Sequence, residues 1–86
     1  MKNIQIKLYE IPDGIEFNQM EPDSINNIID DTNNEITTYI SDIVPNIGDV
    51  MYHTYDEYPN DNYYFKVLQV LYVSKNNRIR IITKRL

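Results

Sequence analysis

One histidine, thirteen carboxylates and eight tyrosines are the side chains of this 86-residue chain that could carry chemistry. His53 stands alone, with no cysteine and no second histidine. A zinc site would therefore have to draw its other ligands from carboxylates, an unusual donor set. A nucleophilic triad would pair His53 with Ser24, Ser41 or Ser74, none of which sits in a nucleophile motif. Paired carboxylates such as Asp30-Asp31 and Asp56-Glu57 arise in any acidic chain, so a solvated surface accounts for them better than acid–base work. Two glycines cannot build a phosphate-cradling loop, and the alternating Asp pattern of a calcium loop is missing. The chain reads as no enzyme, with no catalytic residue, no metal site and no cofactor.

The tyrosines carry more information. Tyr52, Tyr55, Tyr58, Tyr63 and Tyr64 crowd around one polar stretch that also holds Asp56 and Glu57. Tyrosine offers large apolar area with a polar tip at low entropic cost, so it recurs in contact surfaces. The bland alternative is that some of these rings only cover one end of the fold with their hydroxyls in water. The candidate protein-binding surface is Tyr52, Tyr55, Asp56, Glu57, Tyr58 and Tyr63.

Charge is sharply segregated along the chain. All thirteen acidic residues, and no Lys or Arg, lie between Lys7 and Lys66; from Lys66 onward there are six basic residues and no acidic one. The net charge is −5, which disfavours nucleic acid as a partner unless the basic residues form a face of their own. Lys75, Arg78, Arg80, Lys84 and Arg85 could form such a stripe beside stacking tyrosines, as in single-strand binders, but ion pairing with acidic neighbours is the simpler expectation. The acidic stretch could alternatively imitate a phosphate backbone and inhibit a defence nuclease. The absence of Ala and the abundance of Ile, Asn and Tyr fit AT-rich codons and suggest a bacterial or phage source.

These side chains need a scaffold, and the pattern supplies one. Ile4, Ile6 and Leu8 alternate with polar residues, the period-two signature of a half-buried strand over residues 3–9. Ile11-Pro12-Asp13-Gly14 is turn chemistry. Met20 to Ile25 has the marks of a helix start: Pro22 for the first helical position, acidic groups for the positive end of the dipole, and Met20 with Ile25 spaced as a hydrophobic staple. Ile36, Ile40 and Ile43 would prolong the helical stripe, but the poor helix formers Asp30 to Asn34 and the β-branched Ile36-Thr37-Thr38-Tyr39-Ile40 run favour a strand from Glu35. Residues 48–54 form a strand after Pro45 and Gly48. Residues 62–74 and 78–84 form a hairpin through Ser74 to Asn77. Strict alternation in the first arm would bury Gln69, so a bulge at Leu68-Gln69 is expected, turning Phe65, Val67, Val70 and Tyr72 all inward. Small barrels need such bends in order to close.

The Pro45-Asn46-Ile47-Gly48-Asp49-Val50 strand start, followed by Phe65-Lys66-Val67-Leu68-Gln69-Val70, resembles small bacterial and phage proteins with SH3-like β-barrels. The likeness covers about half the chain and implies a fold, with residues 11–34 as a helix-bearing insertion. The expectation is one mostly-β α+β domain spanning 1–86: an SH3-like partly open barrel, or a bent antiparallel sheet, of about five strands. No run approaches membrane-spanning length and the N-terminus alternates where a signal peptide would be continuously apolar; a cytoplasmic protein, monomer or homodimer, is expected. The function expected is an interaction module whose partner is another protein.

Overall fold

The computed structural model describes residues 3–17, 21–73 and 77–86. Five strands form one sheet: β1 (Ile4–Glu10), β2 (Glu35–Ser41), β3 (Val50–His53), β4 (Tyr63–Val73) and β5 (Arg78–Arg85). Among the described residues one α-helix, α1 (Pro22–Ile29), lies between β1 and β2. The strand order is β2-β1-β5-β4-β3. Three neighbour pairs are antiparallel, while β1 and β5 at the centre run parallel. A parallel pair requires a crossover, and here everything between the first and last strands provides it. The result is a mostly-β α+β fold whose sheet curls into a half-barrel, consistent with a small SH3-like barrel.

One side of the sheet is the inside of the curl. Ile6 and Leu8 stand beside Ile79 and Ile81 in the parallel register, and with Val67 they form the inner core. Both outermost strands contribute to it: Ile36 and Tyr39 from β2, Met51 from β3. A flat sheet could not bring its two margins onto one cluster. The bend sits where the alternation demanded it, since the β4–β5 register shifts between Val67 and Gln69. Phe65 and Val67 pair with Arg85 and Thr83, Val70 and Tyr72 with Ile81 and Ile79. All four thus share the inner side, although Tyr72, at the far end of β4, is 72% exposed.

The outer side carries a second core. Tyr9 and Ile82 are buried there under Ile28 of α1, with Ile11, Phe17, Ile25, Ile29 and Leu71 packed around them. Consecutive Ile81, Ile82 and Thr83 are all fully buried, so β5 is covered on both sides. The helix begins with Pro22 at its first position and Asp23 in its first turn, as dipole chemistry favours. It ends at a 3-10 turn, Thr32–Asn34, where Asn34 Nδ2 donates to the Ile28 carbonyl at 3.0 Å and satisfies one orphan helix acceptor. The extended Ile36 to Ile40 run is therefore strand and not further helix. The Met20 end of the expected staple, and the Ser74 to Asn76 turn, lie outside the described residues.

Two turns use glycine at positive φ. Gly14 (+81°) stands in the turn closed by Ile15 N–H to the Pro12 carbonyl. Gly48 (+95°) stands in the Asn46–Asp49 turn before β3, and its N–H donates to Val67 O at 2.8 Å. Because Ile28 alone of the helix residues is fully buried, it pins α1 to the sheet. Ile28→Ala is expected to lower unfolding free energy by about 2–5 kcal/mol, read as a lower urea midpoint; a change under about 0.5 kcal/mol would mean the helix contributes little to the fold.

Candidate binding site at the open seam

The strand directions decide where the chemistry-bearing residues meet. β2 begins, and β3 ends, at the end of the half-barrel where β1 and β5 finish and β4 starts. Between the two outermost strands at this end lies a groove of about 500 Å³ lined by Ile36, Thr37, His53, Thr54, Tyr55, Asp56 and Glu57. This is the gap left by a barrel that does not close.

One wall of the groove is a braced aromatic row. His53 meets Tyr55 edge-on at 4.7 Å between ring centroids, and Tyr55 meets Tyr63 at 5.4 Å. The Arg85 guanidinium lies 5.0 Å from the Tyr63 ring centre and 5.5 Å from that of Phe65. Glu10 holds Arg85 with both oxygens, at 2.9 and 3.0 Å, the two-pronged geometry that fixes a guanidinium in one orientation. Burial pushes the Tyr55 hydroxyl above its ordinary pKa, against the pull of neighbouring Arg85. Burial also raises Tyr9 and Tyr39.

The loop leaving this row is built from consecutive turns. Tyr58 N–H donates to Tyr55 O at 2.9 Å and Asp61 N–H to Tyr58 O at 3.1 Å. At its base Thr54 Oγ1 donates to Asn62 Oδ1 at 2.7 Å. These bonds hold Asp56 and Glu57 at the groove while Tyr58, 55% exposed, projects into solvent.

The pleat divides the tyrosine cluster read from the sequence. Tyr55 and Tyr63 belong to the inner, half-buried row, whereas Tyr52 pairs across the strands with Tyr64 on the outer side, ring centroids 6.3 Å apart. Tyr52 is 69% exposed and Tyr64 48%. Beside them Lys66 and Lys84 face each other across β4 and β5. Arg78 and Arg80 also point outward, on the side opposite Ile79 and Ile81. The expected pairing of the basic strand holds at Arg85 alone: among the described residues the ion pairs are Arg85–Glu10 and Lys7–Glu35. Lys75 is outside the described residues.

The seam also exposes backbone, which residue types alone did not reveal. Gln5 N–H donates to Asn77 O and Ile11 N–H to Thr83 O, so odd-numbered β1 residues turn their backbone groups toward β5, and Ile4, Ile6 and Leu8 turn theirs toward β2. Their register partners Ser41, Tyr39 and Thr37 complete that ladder. Thr38 and Ile40, in between, direct N–H and C=O away from the sheet, and among the described residues no strand lies beyond β2. Ile36, Thr37, Glu10 and Arg85 are thus site residues contributed by long-range pairing.

Among the described residues no group of three His, Cys, Asp or Glu side chains converges as a metal would require, and no helix is long and apolar enough to cross a membrane. Comparison of the chain with protein-family models, with curated proteins and with solved structures gives no match. The raised tyrosines make a pH prediction. A folded-state pKa above the unfolded value, about 10, leaves that stabilisation intact below pH about 10 and removes it as pH rises through the folded value. Tyr9→Phe is expected to flatten the alkaline fall in urea midpoint; an unchanged slope would contradict the burial of this hydroxyl.

Proposed function

We propose that the protein is a non-enzymatic interaction module that binds another protein at the seam between β2 and β3. One observation carries this reading: a turn-braced loop places Asp56, Glu57 and exposed Tyr58 on one wall of a groove whose other wall is the start of β2, a strand whose outer edge is unpaired among the described residues. Exposed strand edges are costly to leave open, because they invite association with other chains. A loop that presents carboxylates and a tyrosine beside such an edge gives that association selectivity.

The bracing supports the same role. Tyr55, Tyr63, His53 and Arg85 form a wall that is already ordered in the free protein, so a partner need not pay the full ordering entropy on docking. The inner row is thus support, and the contact surface proper is Asp56, Glu57, Tyr58 and the backbone of β2. The outer side gives less support for nucleic-acid binding: Lys66 and Lys84 flank the Tyr52–Tyr64 pair, but α1, packed over Ile82, separates them from Arg78 and Arg80 further along β5, and a strand-tracking groove needs continuous cations.

The test leaves the aromatic row intact. Asp56→Asn, Glu57→Gln and Tyr58→Ala combined should preserve the urea midpoint, since all three side chains are exposed. The variant should lose proteins crosslinked to the wild type through a photoreactive group at Asn60. Unchanged crosslinked products from a folded variant would remove the seam as the partner site.

A further inference from the structure

We propose that the seam takes an extended, cationic peptide segment by strand addition to the outer edge of β2; the inference rests on the seam being the partner site and names its occupant. The two outermost strands are not equivalent as edges. β3 is four residues long, follows Pro45, and is entered through the Gly48 turn, all features that blunt an edge. β2 is seven residues, Glu-Ile-Thr-Thr-Tyr-Ile-Ser, rich in strand formers and free of Lys, Pro and Gly. Its one irregularity, the register shift at Ile36 near its start, leaves Thr37 to Ser41 in regular pairing with β1. Thr38 and Ile40 offer two N–H and two C=O groups in ladder spacing, enough to register a strand of about five residues.

Charge selects the occupant. The described residues around this edge are acidic: Asp31 and Glu35 at the start of β2, Asp42 just past its end, Asp56 and Glu57 on the opposite wall. Lys7 lies 3.5 Å from Glu35 and offsets that one charge; the others have no ion-pair partner among the described residues. A second copy of this chain is a poorer occupant. Only the outward-directed residues can pair, so two β2 strands would match Thr38 of each copy with Ile40 of the other; this sets Asp42 of each copy opposite Ile36 and beside Glu35, bringing carboxylates to carboxylates, which repel. An incoming strand with Lys or Arg at alternate positions answers these carboxylates. Its intervening residues then point inward, toward Ile36, Thr37 and the His53–Tyr55 wall, where β-branched or other apolar side chains fit.

The experiment titrates the whole protein, labelled for amide NMR, with an acetylated and amidated peptide of alternating Lys and Val. Saturable binding is expected, with Thr38 and Ile40 amide exchange slowed about tenfold or more. Binding should weaken as salt is raised, and by about fivefold in the Asp56→Asn, Glu57→Gln protein, the sum of two modest surface interactions. The same peptide N-methylated on the amides that would face β2 should not bind. Three results would overturn the inference: equal binding of an alternating Glu and Val peptide, equal binding of the N-methylated peptide, or β2 amides that become protected with protein concentration alone, which is self-pairing. If the Lys and Val peptide fails to bind or to displace a loop-dependent crosslinked partner, the occupant is wrong and the module reading stands; loss of both peptide binding and loop-dependent crosslinking removes both.

Discussion

The parallel pairing of β1 with β5 is the constraint on which the rest of the structure depends. With the first and last strands side by side at the centre, the strands from the middle of the chain, β2 and β3, have only the margins left to occupy. Parallel pairs need cover on both sides, and this one has it: Ile6, Leu8, Ile79 and Ile81 are buried inside the curl, Tyr9 and Ile82 outside under α1. Thr83, fully buried, donates its hydroxyl to the Tyr9 carbonyl at 2.8 Å and so crosslinks the two strands without leaving a polar atom unsatisfied. Each fully buried isoleucine contributes roughly 2 kcal/mol relative to exposure, so the central pair and its two covers outweigh any surface ion pair in the molecule.

The same constraint makes the seam. Curling brings β2 and β3 toward one another around the inner core, yet each ends the sheet on its own side, and a groove remains where a closed barrel would have a ladder. At that end the chain has gathered Glu10 from β1, Tyr63 from β4 and Arg85 from β5 into one braced unit, on which the acidic loop rests. The helix covers only part of the outer side, which leaves Tyr52 and Tyr64 in solvent beside two lysines. Stability and the proposed recognition are thus separated in space: the centre of the sheet holds the fold, and its margin carries the groove.

Much of the scaffold was legible from local pattern. Period two marked β1 and β5, turn residues marked Pro12 to Gly14 and Asn46 to Asp49, and the misfit of Gln69 in an otherwise apolar alternation located the bulge. Five poor helix formers ended the helical pattern before Ile36, where periodicity alone would have carried it on. Pairing was not legible, because nothing in a single sequence says that the first strand lies parallel to the last. For that reason Glu10–Arg85, the groove residues Ile36 and Thr37, and the open edge of β2 were invisible. The tyrosine cluster was visible as a cluster, but its division into a supporting inner row and an exposed outer pair follows from the pleat of β3 and β4. The separation of positive from negative charge along the chain was plain, and its spatial consequence differs from simple pairing, since Arg78, Arg80, Lys66 and Lys84 face outward while Arg85 alone turns in to Glu10.

Everything attributed to the seam requires β2 to be an unpaired margin in the free protein. Amide hydrogen exchange resolved residue by residue along β2 tests this most directly. The account predicts alternation, with Thr37, Tyr39 and Ser41 protected by β1 and Thr38 and Ile40 exchanging near the rate of an open chain. Uniform protection along β2 at low protein concentration would contradict it, because the edge would then already have a partner within the chain.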